Sequence, residues 1–286
     1  MSTAPEMDPR AVAVLACPVC AAALDVVDGG LTCAAGHRFD RARQGHVTLL
    51  PPGHRPPSGD SAEMVADRVA FLEAAHYAGV TRALAGAVGT GARTLLDLGG
   101  GTGHHLAGVL DGLPDAVGVV LDSSPYAARR AARVHPRAIA VVADTWARLP
   151  VADRAVDRVL VVFAPRNGPE IARVLRPGGR LVVVTPAPDH LTELIGPLGL
   201  LRVDPDKTAR LAAALEPHLE PVGTALHRER LRLDRAAVAT LVGMGPHARH
   251  LARDDVRTAL ASLPESLDVT VAVHIADYRP RPASSS

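Results

Sequence analysis

Lysine is nearly absent from this 286-residue chain: Lys207 is the only one, so arginine carries almost all of its positive charge. That excludes a surface of flexible ammonium groups. It leaves planar guanidinium forks, which suit carboxylate and phosphate. The formal charge is only +1. No global field pulls the protein toward a polyanion, and any basic surface must be local. Asparagine also occurs once, at Asn167. There are three Phe, three Tyr and one Trp, so stacking on a planar ligand falls to few rings. No apolar run reaches the roughly 18–20 residues of a membrane helix. The first residues lack the basic and apolar segments of a secretory leader. A cytoplasmic protein is the expectation, and three cysteines suit a reducing compartment better than a disulfide framework.

Those three cysteines share one stretch: Cys17-Pro-Val-Cys20, then Cys33-Ala-Ala-Gly-His37. Zn²⁺ takes thiolate and imidazole ligands at tetrahedral corners. Cys17 and Cys20 can share one knuckle. Cys33 and His37 supply the other pair, and Gly36 permits the bend before His37. Four protein ligands leave no open position, so the site reads as structural rather than catalytic. The competing readings are a chance cluster of buried cysteines and a redox Cys-x-x-Cys, which here lacks a thioredoxin-like βαβ setting. Arg38, Arg41, Arg43 and Arg55, opposed only by Asp40, follow on the C-terminal side. With His46 and His54 they form either a phosphate-holding basic face or a solvated loop. Phe39 reads as packing for the small module.

Hydrophobic residues make up 48% of the chain, enough for one large domain plus that module. Residues 11–50 form the module. Residues 51–59 are a linker, because four prolines and two glycines cannot continue a helix or a central strand. The main domain occupies 60–278, with frayed tails at 1–9 and 279–286. About forty residues hold too little core to stand alone, so metal loss should loosen the module before the main domain. Asp60-Ser-Ala-Glu63 reads as a capping box with Asp60 as N-cap. One helix then runs to about Ala75 and another to about Ala87. From residue 93, β-branched runs alternate with helical stretches. Strands are expected at Thr94–Leu98, Val117–Leu121, Ala138–Val142, Asp157–Phe163 and Leu181–Val184. Helices are expected at His104–Leu110, Pro125–Val134 and Pro169–Leu175, the last stopped by Pro177-Gly178-Gly179. This rhythm predicts a parallel, doubly wound α/β sheet. Arg228–Leu233 and Val269–Ile275 would add antiparallel strands.

Asp97-x-Gly99-x-Gly101-Thr102-Gly103 follows the first of these strands and opens a helix. The spacing does not fit the dinucleotide Gly-x-Gly-x-x-Gly, since position 104 is His, and it lacks the Lys-Ser/Thr of a P-loop. Glycines here let backbone approach the amino-acid portion of S-adenosylmethionine, where no pyrophosphate must be neutralised. Asp122 ends the next strand and can accept from both ribose hydroxyls. Asp144 follows the third strand, where an adenine amino group could be met. Taken singly, either acid also reads as a helix cap.

Several further segments carry a resemblance: Gly36-His-Arg-Phe-Asp40, Arg43-Gln-Gly-His-Val-Thr-Leu-Leu50, Gly59-Asp-Ser-Ala-Glu-Met64, Ala75-His-Tyr77, Phe163-Ala-Pro165 and Thr185-Pro-Ala-Pro-Asp-His190. With the cysteine pattern they resemble the 23S rRNA (guanine-N1)-methyltransferases over about residues 15–280. Gly99-Gly-Gly-Thr-Gly-His-His-Leu106 and Phe163-Ala-Pro-Arg-Asn167 are closer to the actinomycete branch that confers resistance to tylosin-type macrolides. His46 departs from the family, whose members commonly carry Tyr there. The resemblance implies a class I methyltransferase, Rossmann-like sheet and structural zinc on Cys17, Cys20, Cys33 and His37. It places Tyr77, Gly101, Thr102 and His190 at S-adenosylmethionine-binding positions. It also implies a homodimer with an RNA cleft, and a target guanine in hairpin 35 of 23S rRNA, of the nucleotide-748 type.

Methyl transfer from a sulfonium to N1 is an in-line displacement in which positioning supplies much of the rate. Asn167 could hydrogen-bond a base edge, and Arg166 could stabilise charge developing on O6; both also read as parts of a turn. His104 and His105 are titratable, with surface placement expected. Tyr77, Trp146 and Phe163 are the candidates for base stacking, although Trp146 is of a type usually found in cores. Two other classes stay open: a methyltransferase of a small natural product, and a non-catalytic zinc-containing RNA-binding protein. The arginines near His37 favour RNA, and the intact Asp97–Gly103 loop favours an enzyme.

Overall fold

The computed structural model describes residues 6–54, 59–198, 213–245 and 253–281. Its frame is an eight-stranded sheet. In chain order the strands are β4 (Val47–Thr48), β5 (Thr94–Leu98), β6 (Val117–Asp122), β7 (Ala138–Val142), β8 (Val156–Val162), β9 (Leu175–Pro186), β10 (Leu219–Asp234) and β11 (Ser266–Pro280). They lie in the order β10-β11-β9-β8-β5-β6-β7-β4. From β9 to β4 every pairing is parallel, and β11 and β10 close the other edge antiparallel. Central strands are apolar on both faces because both faces are covered; β5 and β7 are buried at every position. The chain reverses its direction of winding at β5, flanked by β6 and β8, which opens a crevice at the carboxyl ends of these strands.

One face is covered by α2 (Ala62–Glu73), α3 (Ala78–Val88) and α4 (His104–Asp111), whose Phe71, Val80, Leu84, Leu106 and Leu110 pack on Val120, Leu160 and Val182. The other face holds α6 (Gly168–Val174), α1 (Pro9–Val12) and the small three-stranded ribbon β1 (Leu24–Val27), β2 (Gly30–Cys33) and β3 (Arg38–Phe39). Val12, Leu15, Leu31, Val47 and Leu49 join Leu96, Leu98, Leu121 and Ile171 in a single core. The N-terminal segment is thus sewn to the sheet rather than tethered to it. β4 pairs with β7, Leu15 bridges Val151, and the Ala152 amide donates to the Val14 carbonyl at 2.9 Å. Its scarcity of core is met by borrowing the sheet's.

Local departures from the sequence reading have local causes. Ser61, not Asp60, caps α2, accepting from the Met64 amide at 3.2 Å. Asp60 is drawn elsewhere: its carboxylate pairs with Arg68, and its carbonyl accepts from the Ser124 hydroxyl at 2.7 Å. Pro177-Gly178-Gly179 is not a stop between helix and strand. β9 starts at Leu175, directly after α6, and the triplet forms a bulge inside it, with Gly178 at φ +79°.

Candidate functional site

The first centre is the cysteine cluster. Cys17 and Cys20 lie on one turn, Cys33 ends β2, and His37 precedes β3. Cys20 Sγ is 3.7 Å from Cys33 Sγ; His37 Nδ1 is 3.6 Å from Cys17 Sγ and 3.3 Å from Cys33 Sγ. All four ligand atoms lie within 4.8 Å of one another. Tetrahedral Zn²⁺ with its usual bond lengths requires edges of about 3.5–3.8 Å. The donor set and its geometry therefore fit a closed zinc site. The Val19 amide points at Cys17 Sγ (3.4 Å), which stabilises thiolate charge.

The basic face beside it is narrower than the sequence suggests. Arg38 and Arg43 are exposed, Arg38 reaching Asp28 at 3.5 Å. Arg41 is half-buried and its Nε donates to the Gly45 carbonyl at 3.0 Å. His46 is buried with Nδ1 unpartnered, and desolvation together with Arg129 holds its pKa below the usual value, so it is not a surface cation. His54 is engaged with Asp144, and Arg55 lies outside the described residues.

The second centre is the crevice at β5. Gly99, Gly101 and Gly103 have φ of +69°, +57° and +75°, a backbone path open to glycine. A Cβ on Gly99 would come within 2.6 Å of Ala164 Cβ. Asp122 receives the Gly101 amide on Oδ2 (2.9 Å) and the Ser124 amide on Oδ1 (2.8 Å), so the acid expected on the ribose also braces the loop. Asp97 is 1% exposed with Oδ1 unpartnered, and burial, then the Asp122 charge, push its pKa up to about 7. An unpaired buried carboxylate under a glycine loop fits a ligand that brings a cation, as the ammonium and sulfonium of S-adenosylmethionine do. Thr102 is buried in the same loop.

Tyr77, Phe163 and His190 converge on one side of this crevice, with ring centroids 5.9–6.5 Å apart. Tyr77 is buried. Burial lowers the His190 pKa to about 4, and Nδ1 accepts from the Ala272 amide (3.3 Å), leaving a neutral ring with its proton on Nε2. On the other side, Asp144 Oδ1 accepts from the Trp146 amide and Oδ2 meets His54 Nε2, both at 2.8 Å.

Asn167 takes the turn role that the sequence allowed beside base contact, whereas His105 and Trp146 differ from their sequence reading. Asn167 Nδ2 points at the carbonyls of Thr145, Trp146 and Ala147 (3.1–3.3 Å), so its amide holds a turn. Arg166 is 7% exposed, and desolvation lowers its pKa. His105 is not a surface group: Nδ1 meets the Thr81 hydroxyl at 2.9 Å, and burial lowers its pKa to about 3. Trp146, of a core type, is 59% exposed, because the turn that Asn167 ties aims it outward. Arg68 is a site residue that the sequence reading misses. It stands with Nη1 3.1 Å from where a Gly101 Cβ would lie, brought there only by the docking of α2.

The doubly wound sheet, the glycine loop at its switch point and the four-ligand cluster define a class I methyltransferase fused to a zinc ribbon. The profile described as "RlmA, N-terminal" matches residues 15–56, and that of a methyltransferase domain matches 95–179. The chain is 50% identical to the 23S rRNA (guanine(748)-N(1))-methyltransferase of Streptomyces fradiae, over 96% of this chain and all of that one. A Micromonospora griseorubida protein named for the same guanine-N1 transfer is 51% identical at the same coverages. A similarly named Bacillus subtilis protein is 32% identical over 91% and 94% of the two chains. Among solved structures, the Haloferax volcanii methyltransferase partner of Trm112 superposes with a TM-score of 0.51 at 20% identity, covering 79% of this chain and all of that one. The chain belongs to the 23S rRNA (guanine-N1)-methyltransferase family.

Proposed function

We propose that the protein transfers a methyl group from S-adenosylmethionine to N1 of a guanine in hairpin 35 of 23S rRNA, at the nucleotide-748 position, releasing S-adenosylhomocysteine and the N1 proton. The observation that carries this is half-identity, end to end, with the Streptomyces fradiae enzyme of that name. When bound, the cofactor supplies an electrophilic methyl on a sulfonium. The chain's own residues bind and orient it: the backbone of Gly99, Gly101, Thr102 and Gly103 against its amino-acid end, Asp97 beneath that end, Asp122 at the ribose and Asp144 at the adenine. Tyr77 and His190 wall the side toward β8 and β9. A neutral His190 donates one hydrogen bond without adding a positive charge beside the sulfonium. Zinc on Cys17, Cys20, Cys33 and His37 keeps Arg38 and Arg43 in place for phosphate, and Arg41 fixes the intervening turn. The working form is a cytoplasmic homodimer, and its modification confers macrolide resistance of the tylosin type.

Primer extension across hairpin 35, on rRNA from cells with and without the gene, tests the reading. A stop at the target guanine only in cells carrying the gene, with mass spectrometry placing the methyl on N1, is the expected result. An unmodified N1 removes the substrate assignment and leaves methyl transfer to a small molecule as the better reading. A rise in tylosin tolerance on expression tests the resistance role, and sedimentation tests the dimer.

A further inference from the structure

Seven aromatic residues serve the whole chain. Phe71 and Tyr77 are buried, and Phe39 and Tyr278 pack against a core. The remaining three, Tyr126, Trp146 and Phe163, are 44%, 59% and 43% exposed. All three follow the carboxyl ends of parallel strands around the switch point, β8 on one side of β5 and β6 and β7 on the other. Tyr126 opens α5 (Pro125–Ala131) after β6, Trp146 follows β7, and Phe163 follows β8. Strand order places Phe163 on one side of the glycine loop and Tyr126 and Trp146 on the other, with β4 and the zinc ribbon beyond them.

Each ring is held in place. The only asparagine ties the turn that presents the only tryptophan, donating to the carbonyls of residues 145–147, and the buried Asp144 takes the Trp146 amide. Phe163 sits at φ +54°, a conformation a bulky residue adopts only when its surroundings impose it. The Arg129 guanidinium lies 5.5 Å from the Tyr126 ring centroid, bringing phosphate-binding charge to the row, and its field reaches His46 in the zinc ribbon.

We propose that Tyr126, Trp146 and Phe163 form a stacking row for unpaired RNA bases, running from the zinc ribbon across the mouth of the cofactor crevice. The proposal rests on the RNA-substrate reading and adds which side chains take bases. Aromatic faces stack on any base, and unpaired loop nucleotides are what a hairpin offers. A row on the crevice mouth, interleaved with arginine, matches that chemistry better than an apolar protein surface.

Because the chain has one tryptophan, its whole indole emission reports this row. The full-length protein, saturated with S-adenosylhomocysteine, is titrated with a transcript of the hairpin-35 stem-loop. Saturable quenching of Trp146 is expected. Trp146→Ala, Tyr126→Ala and Phe163→Ala should each weaken RNA binding about 5- to 150-fold by filter binding. Their salt dependence should match the wild type, since stacking releases no counterions. S-adenosylhomocysteine affinity by calorimetry should stay within twofold in Trp146→Ala and Tyr126→Ala, which also reports that their fold is intact. Phe163→Tyr, which keeps a ring, should recover RNA affinity. Emission unmoved at saturating RNA, or alanine variants that bind RNA within twofold of wild type, would overturn the row while leaving the substrate reading standing. Loss of S-adenosylhomocysteine affinity in Trp146→Ala with RNA affinity retained would overturn it by giving the ring to the cofactor. Wild-type protein that neither binds nor methylates the hairpin would remove both readings.

Discussion

The zinc cluster and the cofactor crevice assemble in opposite ways. The cluster draws four ligands from twenty-one consecutive residues, 17–37, on turns of a ribbon whose strands are two to four residues long. The crevice collects Asp97, Asp122, Asp144 and His190 from the ends of four strands spread over almost a hundred residues. The cluster leans on its metal because Cys20 is exposed and its strands are short, although Cys17 and Cys33 are buried at the edge of the shared core. The crevice is set by the sheet beneath it and would keep its shape with nothing bound. The lesson is that locally spaced sites lean on the ligand, whereas sites gathered by a sheet lean on the core.

The largest effect should come from breaking the side that leans on its ligand. Metal analysis should find one equivalent of zinc in the wild type and none in Cys20→Ala. Metal binding to small zinc modules is worth about 10–16 kcal/mol in peptides, so the tip should open. Protease should then cut between about residues 18 and 46. The shared core through Leu15, Val47 and Leu49 should keep the sheet and the S-adenosylhomocysteine affinity. Methylation of hairpin RNA should fall by more than a hundredfold. A full equivalent of zinc in Cys20→Ala would sink the assignment.

On the other side, Asp122→Ala should weaken S-adenosylmethionine about 10- to 100-fold by calorimetry, because a charged acceptor is worth roughly 1.5–3 kcal/mol per hydrogen bond. Asp122 also braces Gly101, so the loop should exchange amide hydrogens faster even without cofactor. Zinc content should not change. Unaltered cofactor affinity would refute the ribose role.

The same contrast explains what could be read in the sequence. Strands β5 to β8 are legible within a residue or so because burial favours short runs of Val, Leu, Ile and Ala, interrupted here only by Thr94, Asp97, Gly118, Asp122 and Asp157-Arg158. The cysteine–histidine set is legible because its chemistry is a matter of spacing. Relations across the chain are not. Val47–Thr48 is too short to show a period, and only its pairing with β7 makes it a strand. Trp146 has a core residue's composition and an exposed position, decided by Asn167 some twenty residues later. Arg68 and His54 show no motif; α2 and the linker carry them to Gly101 and Asp144. Asp60 has the right residue type for a cap but is claimed by Arg68.

A pH series sharpens the crevice side. Asp97 is held near 7, above its ordinary value, chiefly by burial and then by Asp122. The native state therefore keeps a proton that the unfolded chain gives up near pH 4. This group favours folding most below pH 4, and the advantage declines as pH rises to about 7. Cofactor-free protein should lose stability over that window, and Asp97→Asn should remove the slope and raise the melting temperature at pH 8 by a few degrees. A cationic ligand prefers the ionised form, so wild-type S-adenosylmethionine affinity should rise between pH 6 and 8. A flat profile in both measurements would break the assignment of Asp97 as the cation's partner.

The smallest effect belongs to the surface of the zinc side. Arg38 and Arg43 are exposed, and the contact of Arg38 with Asp28 at 3.5 Å is a solvent-facing pair of little worth to folding. Arg38→Ala with Arg43→Ala should leave zinc content and melting temperature unchanged. Arg41 is better kept, because its bond to the Gly45 carbonyl supports the turn. Removing one arginine from a phosphate should reduce the slope of log affinity against log salt by about 0.7–0.9, so the pair should flatten it by at most about 1.8. RNA binding should weaken a few-fold at low salt and converge with the wild type as salt rises. Methylation should fall only at subsaturating RNA, as a rise in KM with kcat preserved. An unchanged salt slope would show that the ribbon's arginines meet no phosphate, and that zinc there serves the fold of the ribbon alone.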